Sequence, residues 1–90
     1  MISLVWDAGF KRSYKKRIAP DTQLKKRFWD AVEQFVDDPF ATPLKTHRLT
    51  GKLSGCWAFS VDDDCRVLFK FIKGDKQALL MDIGTHDEVY

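Results

Sequence analysis

The spacing of apolar residues changes along this chain, and the change constrains the fold. Up to about residue 36, apolar side chains recur every three or four positions, which is the spacing of a helix with one buried face. The clearest such stripe is formed by Leu24, Phe28, Ala31, Val32 and Phe35. After residue 56, apolar residues alternate or form short aromatic and β-branched runs, which is typical of strands. Helices followed by strands predict an α+β protein.

Two helices are predicted, with Pro20 at the break between them. The first follows Asp7, because aspartate caps helix N-termini well. Its apolar stripe consists of Phe10, Tyr14 and Ile18. The second runs from about Pro20 to Val36 and ends before Pro39, since the residue preceding a proline disfavours helical geometry. The short connection predicts a helical hairpin.

One strand is predicted before the hairpin and three after it. They are Ile2–Trp6, Trp57–Val61, Arg66–Ile72 and Ala78–Ile83. Residues 40–56 are predicted to form a loop, and polar turns fall at 62–64 and 73–76. The predicted fold is therefore α+β, in the order β-α-α-β-β-β, as one domain over residues 1–90. The helical hairpin packs on a small, mainly antiparallel sheet that the first strand joins.

Most aromatic residues are expected in the core. These are Trp6, Phe10, Phe28, Phe35, Phe59, Phe69 and Phe71, and Trp57 is assigned to the core over a stacking role in a binding site. Cys56 and Cys65 are expected to be buried or partly buried free thiols, since a disulfide is disfavoured in a reducing compartment. With His47 and His86 they would make a Cys2His2 set, but the spacing matches no common zinc site.

No apolar run approaches the roughly 18 residues that cross a membrane, and the first residues lack the pattern of a signal peptide. The expected location is the cytoplasm, with no membrane partner. The net charge of +2 hides an asymmetry. Residues 1–56 carry eleven basic and six acidic residues, whereas residues 57–90 carry four and seven. Such a basic half suits phosphate binding, although a solvated helix has the same composition.

Four segments of the second half form an ordered set of motifs. They are Leu44-Lys45-Thr46-His47-Arg48-Leu49-Thr50-Gly51, Trp57-Ala58-Phe59-Ser60-Val61, Asp64-Cys65-Arg66-Val67-Leu68-Phe69, and Asp82-Ile83-Gly84-Thr85-His86-Asp87-Glu88-Val89-Tyr90. In this order, and behind a helical hairpin, they resemble the RelE/YafQ branch of the RelE/ParE toxin superfamily. The resemblance covers nearly the whole chain.

The resemblance implies the toxin of a type II toxin–antitoxin system. Such toxins are ribosome-dependent endoribonucleases that cleave mRNA, and a cognate antitoxin protein holds them inactive. The expected partners are therefore that antitoxin and mRNA on the ribosome. A basic, concave site on a small domain would also suit an acidic or amphipathic helix from a disordered segment.

RNA can be cleaved without a metal or other cofactor when its own 2′-hydroxyl attacks the adjacent phosphorus. The reaction needs a base near the 2′-oxygen, an acid near the leaving 5′-oxygen and cationic donors on the phosphoryl oxygens. Histidine suits both proton-transfer roles because its unperturbed pKa is about 6.5. The chain has two histidines, His47 and His86.

The resemblance assigns roles to five catalytic candidates. His86 follows Gly84-Thr85 and would be a general acid or base, whereas without the resemblance it is a surface histidine. His47 would be a second proton-transfer or phosphate-contacting residue. Asp64 would act as a base or orient a histidine, and Arg66 would contact the scissile phosphate with its planar, permanently charged fork. Asp62 and Asp63 are expected to be solvated turn residues.

The fifth candidate, Tyr90, would stack on a base or contact the phosphate; the alternative is a frayed terminus. Arg48 and Lys52 are candidate phosphate-binding residues in the predicted loop, and a solvated lysine is the alternative for Lys52. Ser60 departs from the family pattern, since some YafQ-like enzymes carry a histidine there.

Two other functions remain open. A ParE-like toxin would share the fold and inhibit DNA gyrase without RNA chemistry, so the fold alone cannot decide between them. The two histidines favour the nuclease, because a gyrase-binding surface needs no proton-transfer groups. The third alternative is a relic that only binds an antitoxin.

Overall fold

The computed structural model describes residues 1–74 and 76–85 of the chain. Its helical layer contains α1 (Ala8–Ser13), a π-helical turn (Tyr14–Ile18) and α2 (Thr22–Asp37). Its strands are β1 (Ser3–Trp6), β2 (His47–Arg48), β3 (Trp57–Ser60), β4 (Arg66–Ile72) and β5 (Gln77–Gly84). Short 3₁₀ turns lie at Thr42–Leu44 and Gly51–Leu53. The predicted α+β class is confirmed.

Both α-helices begin at an aspartate cap. The carboxylate of Asp7 accepts a hydrogen bond from the Phe10 N–H at 2.7 Å, and that of Asp21 accepts one from the Leu24 N–H at 3.0 Å. Each bond satisfies an N–H group that has no partner within its helix. The prediction that Asp7 caps the first helix is confirmed, and α2 begins two residues later than predicted.

The first helix does not stay α-helical to its end. Over Tyr14–Ile18 the chain widens into a π-helical turn, in which the Ala19 N–H donates to the Tyr14 carbonyl at 3.0 Å. Ile18 remains fully buried at the end of this turn. The wider turn therefore keeps the apolar stripe of the first helix on the core.

The five strands form one sheet in the order β1-β5-β4-β3-β2. β1 runs parallel to β5, and the other neighbouring pairs are antiparallel. The predicted joining of the first strand to the sheet is confirmed. The prediction of a loop over residues 40–56 is wrong at β2, where His47 pairs with Ala58 and Arg48 pairs with Trp57. Two exposed residues are too few to show the alternation that signals a strand.

The hairpin covers one face of the sheet through aromatic contacts. The ring of Phe35 in α2 stacks on Phe59 of β3 at 4.6 Å and meets Phe69 of β4 edge-on at 4.9 Å. The opposite face carries a smaller apolar cluster beneath the segment that joins β2 to β3. Its buried members are Leu49, Cys56, Ala58 and Leu68.

The core predictions are largely confirmed. Five phenylalanines are fully buried, namely Phe10, Phe28, Phe35, Phe59 and Phe69. Trp6, Trp57 and Phe71 are half-buried and pack against this core. Cys56 and Cys65 are buried free thiols, as predicted. Among the described residues, no helix is long and apolar enough to cross a membrane.

Replacement of Phe35 by alanine is expected to lower the free energy of unfolding by about 3–5 kcal/mol, since it removes a fully buried ring and leaves a cavity. Urea denaturation followed by circular dichroism measures this loss. Glu33→Ala is the control, because Glu33 is exposed on the same helix and its loss should change stability by no more than about 0.5 kcal/mol. Equal effects of the two substitutions would contradict the central position of Phe35.

Candidate active site

The register of three strands brings candidate residues together at one end of the sheet. Ser60 of β3 lies directly opposite Arg66 of β4, and Arg66 lies opposite Gly84 of β5. Residues directly opposite each other in a sheet share a face. His47 lies opposite Ala58, two residues before Ser60, so it belongs to this same face. The structure therefore places His47 and Arg66 on the sheet face that the hairpin does not cover.

Arg66 is anchored to the turn that joins β3 to β4. Its Nη1 donates to the carbonyl oxygen of Asp62 at 2.7 Å and to that of Cys65 at 3.3 Å. Both bonds engage Nη1, and the guanidinium carries N–H groups on two further nitrogens. The anchored group can therefore position its charge while presenting other donors to an anion.

Asp62 organises this turn, and the prediction that it is a solvated turn residue is wrong. Its side chain is 25% exposed, and its carboxylate lies 3.3 Å from the Arg27 guanidinium of α2. The same carboxylate accepts a hydrogen bond from the Asp64 N–H at 2.9 Å. The turn is thus held to α2 by an ion pair and to itself by a hydrogen bond. Asp63 and Asp64 are exposed.

A cavity of about 380 Å³ opens between the hairpin and this end of the sheet. Its lining residues are Lys16, Arg17, Ile18, Leu24, Asp62, Asp64, Cys65, Gly84 and Thr85. Cations from the π-helical turn therefore face carboxylates from the β3–β4 turn. Asp64, a predicted site residue, lies here beside the end of β5. His86 and Tyr90 lie outside the described residues.

Sequence reasoning missed Lys16 and Arg17, because both fit a solvated helix face. The signal that marks them is their place just before the break at Pro20, where the first helix must end. The π-helical turn then carries both residues to the cavity wall. Arg17 also lies close enough to Cys65 to influence the pKa of its thiol.

His47 is exposed, and its Nδ1 lies 3.0 Å from the carbonyl oxygen of Lys45. A carbonyl oxygen can only accept, so this bond requires the proton to be on Nδ1. In the neutral ring Nε2 is then the nitrogen that can take up a proton. The bond therefore suits His47 to act through Nε2.

Arg48 does not share a sheet face with Arg66. Arg48 lies opposite Trp57, and successive residues of a strand point to opposite faces, so Arg48 and His47 diverge. The Arg48 guanidinium lies 5.1 Å from the centre of the Trp57 ring, within range of a cation–π contact. Lys52 is exposed on the 3₁₀ turn after β2.

The described residues, 1–74 and 76–85, contain no group of three or more histidine, cysteine, aspartate or glutamate side chains arranged to hold a metal ion. Cys56 belongs to the apolar cluster on the open face of the sheet, whereas Cys65 belongs to the core beneath the hairpin. Because the sheet separates the two thiols, they do not form one binding site.

Burial is the main cause that raises the pKa of the Cys65 thiol from an ordinary value of 9.0 to about 12. The carboxylates of Asp62 and Asp64 add to the rise, whereas Arg66 and Arg17 oppose it. At neutral pH the thiol is therefore protonated, which makes Cys65 a poor nucleophile.

This shift predicts a loss of stability in alkali. Between about pH 9 and pH 12 the unfolded chain releases the Cys65 proton while the folded chain keeps it. The free energy of unfolding should therefore fall by up to about 1.4 kcal/mol per pH unit in this interval. Urea denaturation of the wild type and Cys65→Ala at pH 8, 9, 10 and 11 measures the contribution. Parallel pH profiles of the two proteins would show that the thiol does not contribute.

Comparison with solved structures gives the fold a wider context. No model of a known protein family matches the chain, and no curated protein sequence matches it. A YoeB/ParE toxin from Agrobacterium tumefaciens superposes with a TM-score of 0.79 at 19% identity, covering 94% of this chain and 99% of that one. YafQ from E. coli strain BL21(DE3) gives 0.70 at 16% identity, with 100% and 99% covered.

A third similar structure is the heterotetrameric YoeB-YefM toxin-antitoxin complex from Staphylococcus aureus. It matches with a TM-score of 0.75 at 13% identity, over 96% of this chain and 98% of that one. The matched structures span both a YafQ protein and proteins of the YoeB type, and each is covered almost from end to end. The fold implied by the resemblance is thus confirmed: the chain has the fold of the RelE/YafQ-type toxins.

Proposed function

We propose that the protein is the toxin of a type II toxin–antitoxin system and an endoribonuclease that cleaves mRNA on the ribosome, in the cytoplasm. The observation that carries the proposal is the row Ser60–Arg66–Gly84 on the open sheet face, which is the face that the hairpin does not cover. His47 lies on the same face. The row sets a fixed guanidinium beside the strand end that leads to His86. The toxin fold supports the same function.

In the proposed reaction the 2′-oxygen of the substrate bonds to the adjacent phosphorus while the bond from phosphorus to the 5′-oxygen breaks. A base takes the 2′-hydroxyl proton and an acid protonates the leaving 5′-oxygen, giving a 2′,3′-cyclic phosphate and a 5′-hydroxyl end. His47 and His86 are the proposed pair for these transfers. These bond changes and proton transfers require no metal or cofactor.

The remaining candidates would support the transition state. Arg66 would donate to the phosphoryl oxygens as they gain negative charge. Asp64, at the cavity by the end of β5, would accept a proton or orient a histidine. Tyr90 would stack on a base. Arg48 would contact a phosphate away from the reacting one, because its side chain points to the other face of the sheet. Lys52 would contact a phosphate from the segment that joins β2 to β3.

Ser60 bears directly on this proposal. It stands opposite Arg66, so the family histidine that it replaces would lie beside the guanidinium. Serine cannot transfer a proton near neutral pH. Proton transfer is therefore assigned to His47 and His86. Arg66, without a histidine beside it, would be the main group that stabilises the negative charge on the phosphoryl oxygens.

A cognate antitoxin is the proposed regulator. The Staphylococcus aureus structure pairs a toxin of this fold with an antitoxin in a heterotetramer. An acidic or amphipathic segment covering the open sheet face would hide Arg66 and His47 from RNA. Addition of the purified cognate antitoxin to this protein at an equimolar ratio should therefore abolish mRNA cleavage.

Loss of the Arg66 guanidinium should reduce mRNA cleavage by about 10²–10³-fold, as for other donors that stabilise transition-state charge. Arg66→Ala is compared with Lys70→Ala, which removes an exposed cation from the same strand, four residues away. Primer extension on mRNA from a translating extract measures cleavage, and growth after induction measures toxicity. The proposal is wrong if both variants cleave as well as the wild type.

Replacement of either histidine should reduce cleavage by about 10²–10⁴-fold, the usual contribution of a proton-transfer group. His86→Ala and His47→Gln are assayed beside the wild type, and the ends of the products are identified by labelling with and without phosphatase. Full activity of His86→Ala would overturn the acid–base assignment.

Inhibition of DNA gyrase is the rival function, and one of the matched proteins is named YoeB/ParE. A plasmid-supercoiling assay with the purified protein separates the two. The nuclease proposal expects unchanged supercoiling and cleaved mRNA. Inhibited supercoiling with intact mRNA would instead establish the rival function.

A further inference from the structure

The helical hairpin carries a dense cationic surface that the proposed chemistry leaves largely unused. Within residues 11–27 there are eight basic residues and a single acidic one, Asp21. All eight are exposed, and together we call them the hairpin cationic surface: Lys11, Arg12, Lys15, Lys16, Arg17, Lys25, Lys26 and Arg27. Arg27 pairs with Asp62, and Lys16 and Arg17 line a cavity together with Asp62 and Asp64. The density of like charge over the rest of the surface favours an anionic partner.

An aromatic side chain is exposed beside these cations. Trp29 of α2 is 44% exposed, which is high for a tryptophan. Its ring stacks on Trp6 at 5.9 Å, and its Nε1 donates to the Tyr14 hydroxyl at 3.0 Å. The indole is therefore held in a fixed orientation on the protein while part of it faces solvent.

Helix geometry sets lysines next to this indole. Lys25 and Lys26 precede Trp29 by four and three residues, so they lie one turn away on the same side of α2. Lys11 precedes Tyr14 by three residues, so it lies one turn from the tyrosine whose hydroxyl accepts the hydrogen bond of Trp29. Acidic residues begin at Asp30 and Glu33 on α2, so the cations of that helix lie within its first two turns.

We propose that the hairpin cationic surface binds single-stranded nucleic acid, with a base stacked on Trp29 and the flanking phosphates on Lys11, Lys25 and Lys26. Cations track a phosphate backbone, and a rigid aromatic ring accepts any base because every base has a π-face. An acidic peptide would use the cations, but only its occasional aromatic residues could stack on the indole, whereas every nucleotide carries a flat base. This combination favours a polynucleotide over an acidic protein as the partner.

The surface also connects to the cavity at the candidate active site. Lys16 and Arg17 belong to both, since they line that cavity together with Asp64 and Thr85. A strand bound over Trp29 and extended over Lys16 and Arg17 would reach the end of β5. The binding proposal goes beyond the proposed function and stands without it, because it requires no cleavage.

The test measures binding of the full-length protein to a fluorescein-labelled 12-nucleotide 2′-O-methyl RNA by fluorescence anisotropy. The methylated 2′-oxygen prevents cleavage, so failure of the nuclease proposal does not affect the result. DNA of the same sequence forms a second arm and should bind within a few-fold of the RNA. Failure of both oligonucleotides to bind at low salt would overturn the proposal.

The charge variant is Lys25→Glu/Lys26→Glu, and its matched control is Lys73→Glu/Lys76→Glu, which makes the same charge change at exposed lysines of the β4–β5 turn. The hairpin variant should bind at least 10-fold more weakly, and the control less than 3-fold. The slope of log affinity against log salt should fall by about 1.4 in the hairpin variant, since each lost phosphate contact on a single strand contributes about 0.7. Equal losses in both variants would overturn the assignment of the surface.

The stacking variant is Trp29→Leu, with folding checked by circular dichroism and thermal melting. It should bind about 10-fold more weakly with an unchanged salt slope, because it removes stacking and no charge. Binding equal to the wild type would overturn the role of Trp29. Polyglutamate of matched charge is the competitor: displacement of the oligonucleotide at equal concentration would identify an acidic protein as the partner and overturn the proposal.

Discussion

The contact of Phe35 with Phe59 and Phe69 holds the two layers of this protein together. It joins α2 to the two strands that carry Ser60 and Arg66, so the position of the sheet end relative to the hairpin depends on it. The ion pair of Arg27 with Asp62 makes a second link near the candidate site. That link is exposed and screened by solvent, so the aromatic contact supplies most of the stabilisation. The cavity beside Asp64 exists because these two links keep the layers in register.

Much of the fold follows from local patterns in the sequence. The bounds of β4 are the predicted ones, because five apolar residues between two polar turns leave little choice. The cap at Asp7 and the break at Pro20 follow from side-chain chemistry and a missing N–H. The π-helical turn and β2 could not be predicted in this way. The first depends on how Ile18 reaches the core, and the second on pairing with a strand ten residues further along the chain.

The candidate site was less accessible to sequence reasoning than the fold. The resemblance predicts a role for Arg66, but the neighbours of this residue follow only from the register of β3, β4 and β5. A loop assignment for residues 40–56 does not indicate that the side chains of His47 and Arg48 point in different directions. Once the two residues form a strand, alternation sends their side chains to opposite faces. Asp62 was misjudged for a related reason, since nothing local in three consecutive aspartates reveals the arginine of another element.

The parallel pairing of β1 with β5 has a consequence for the order of assembly. β5 lies between β1 and β4, so β1 has no partner in the sheet until residues 77–80 have left the ribosome. Contacts between such distant parts of a chain form slowly, because a long loop must close first. The hairpin can form early, whereas the row through Arg66 is complete only when Gly84 arrives. A nascent chain therefore carries the cationic helices before it carries the sheet end, so the candidate site is among the last parts of this domain to assemble.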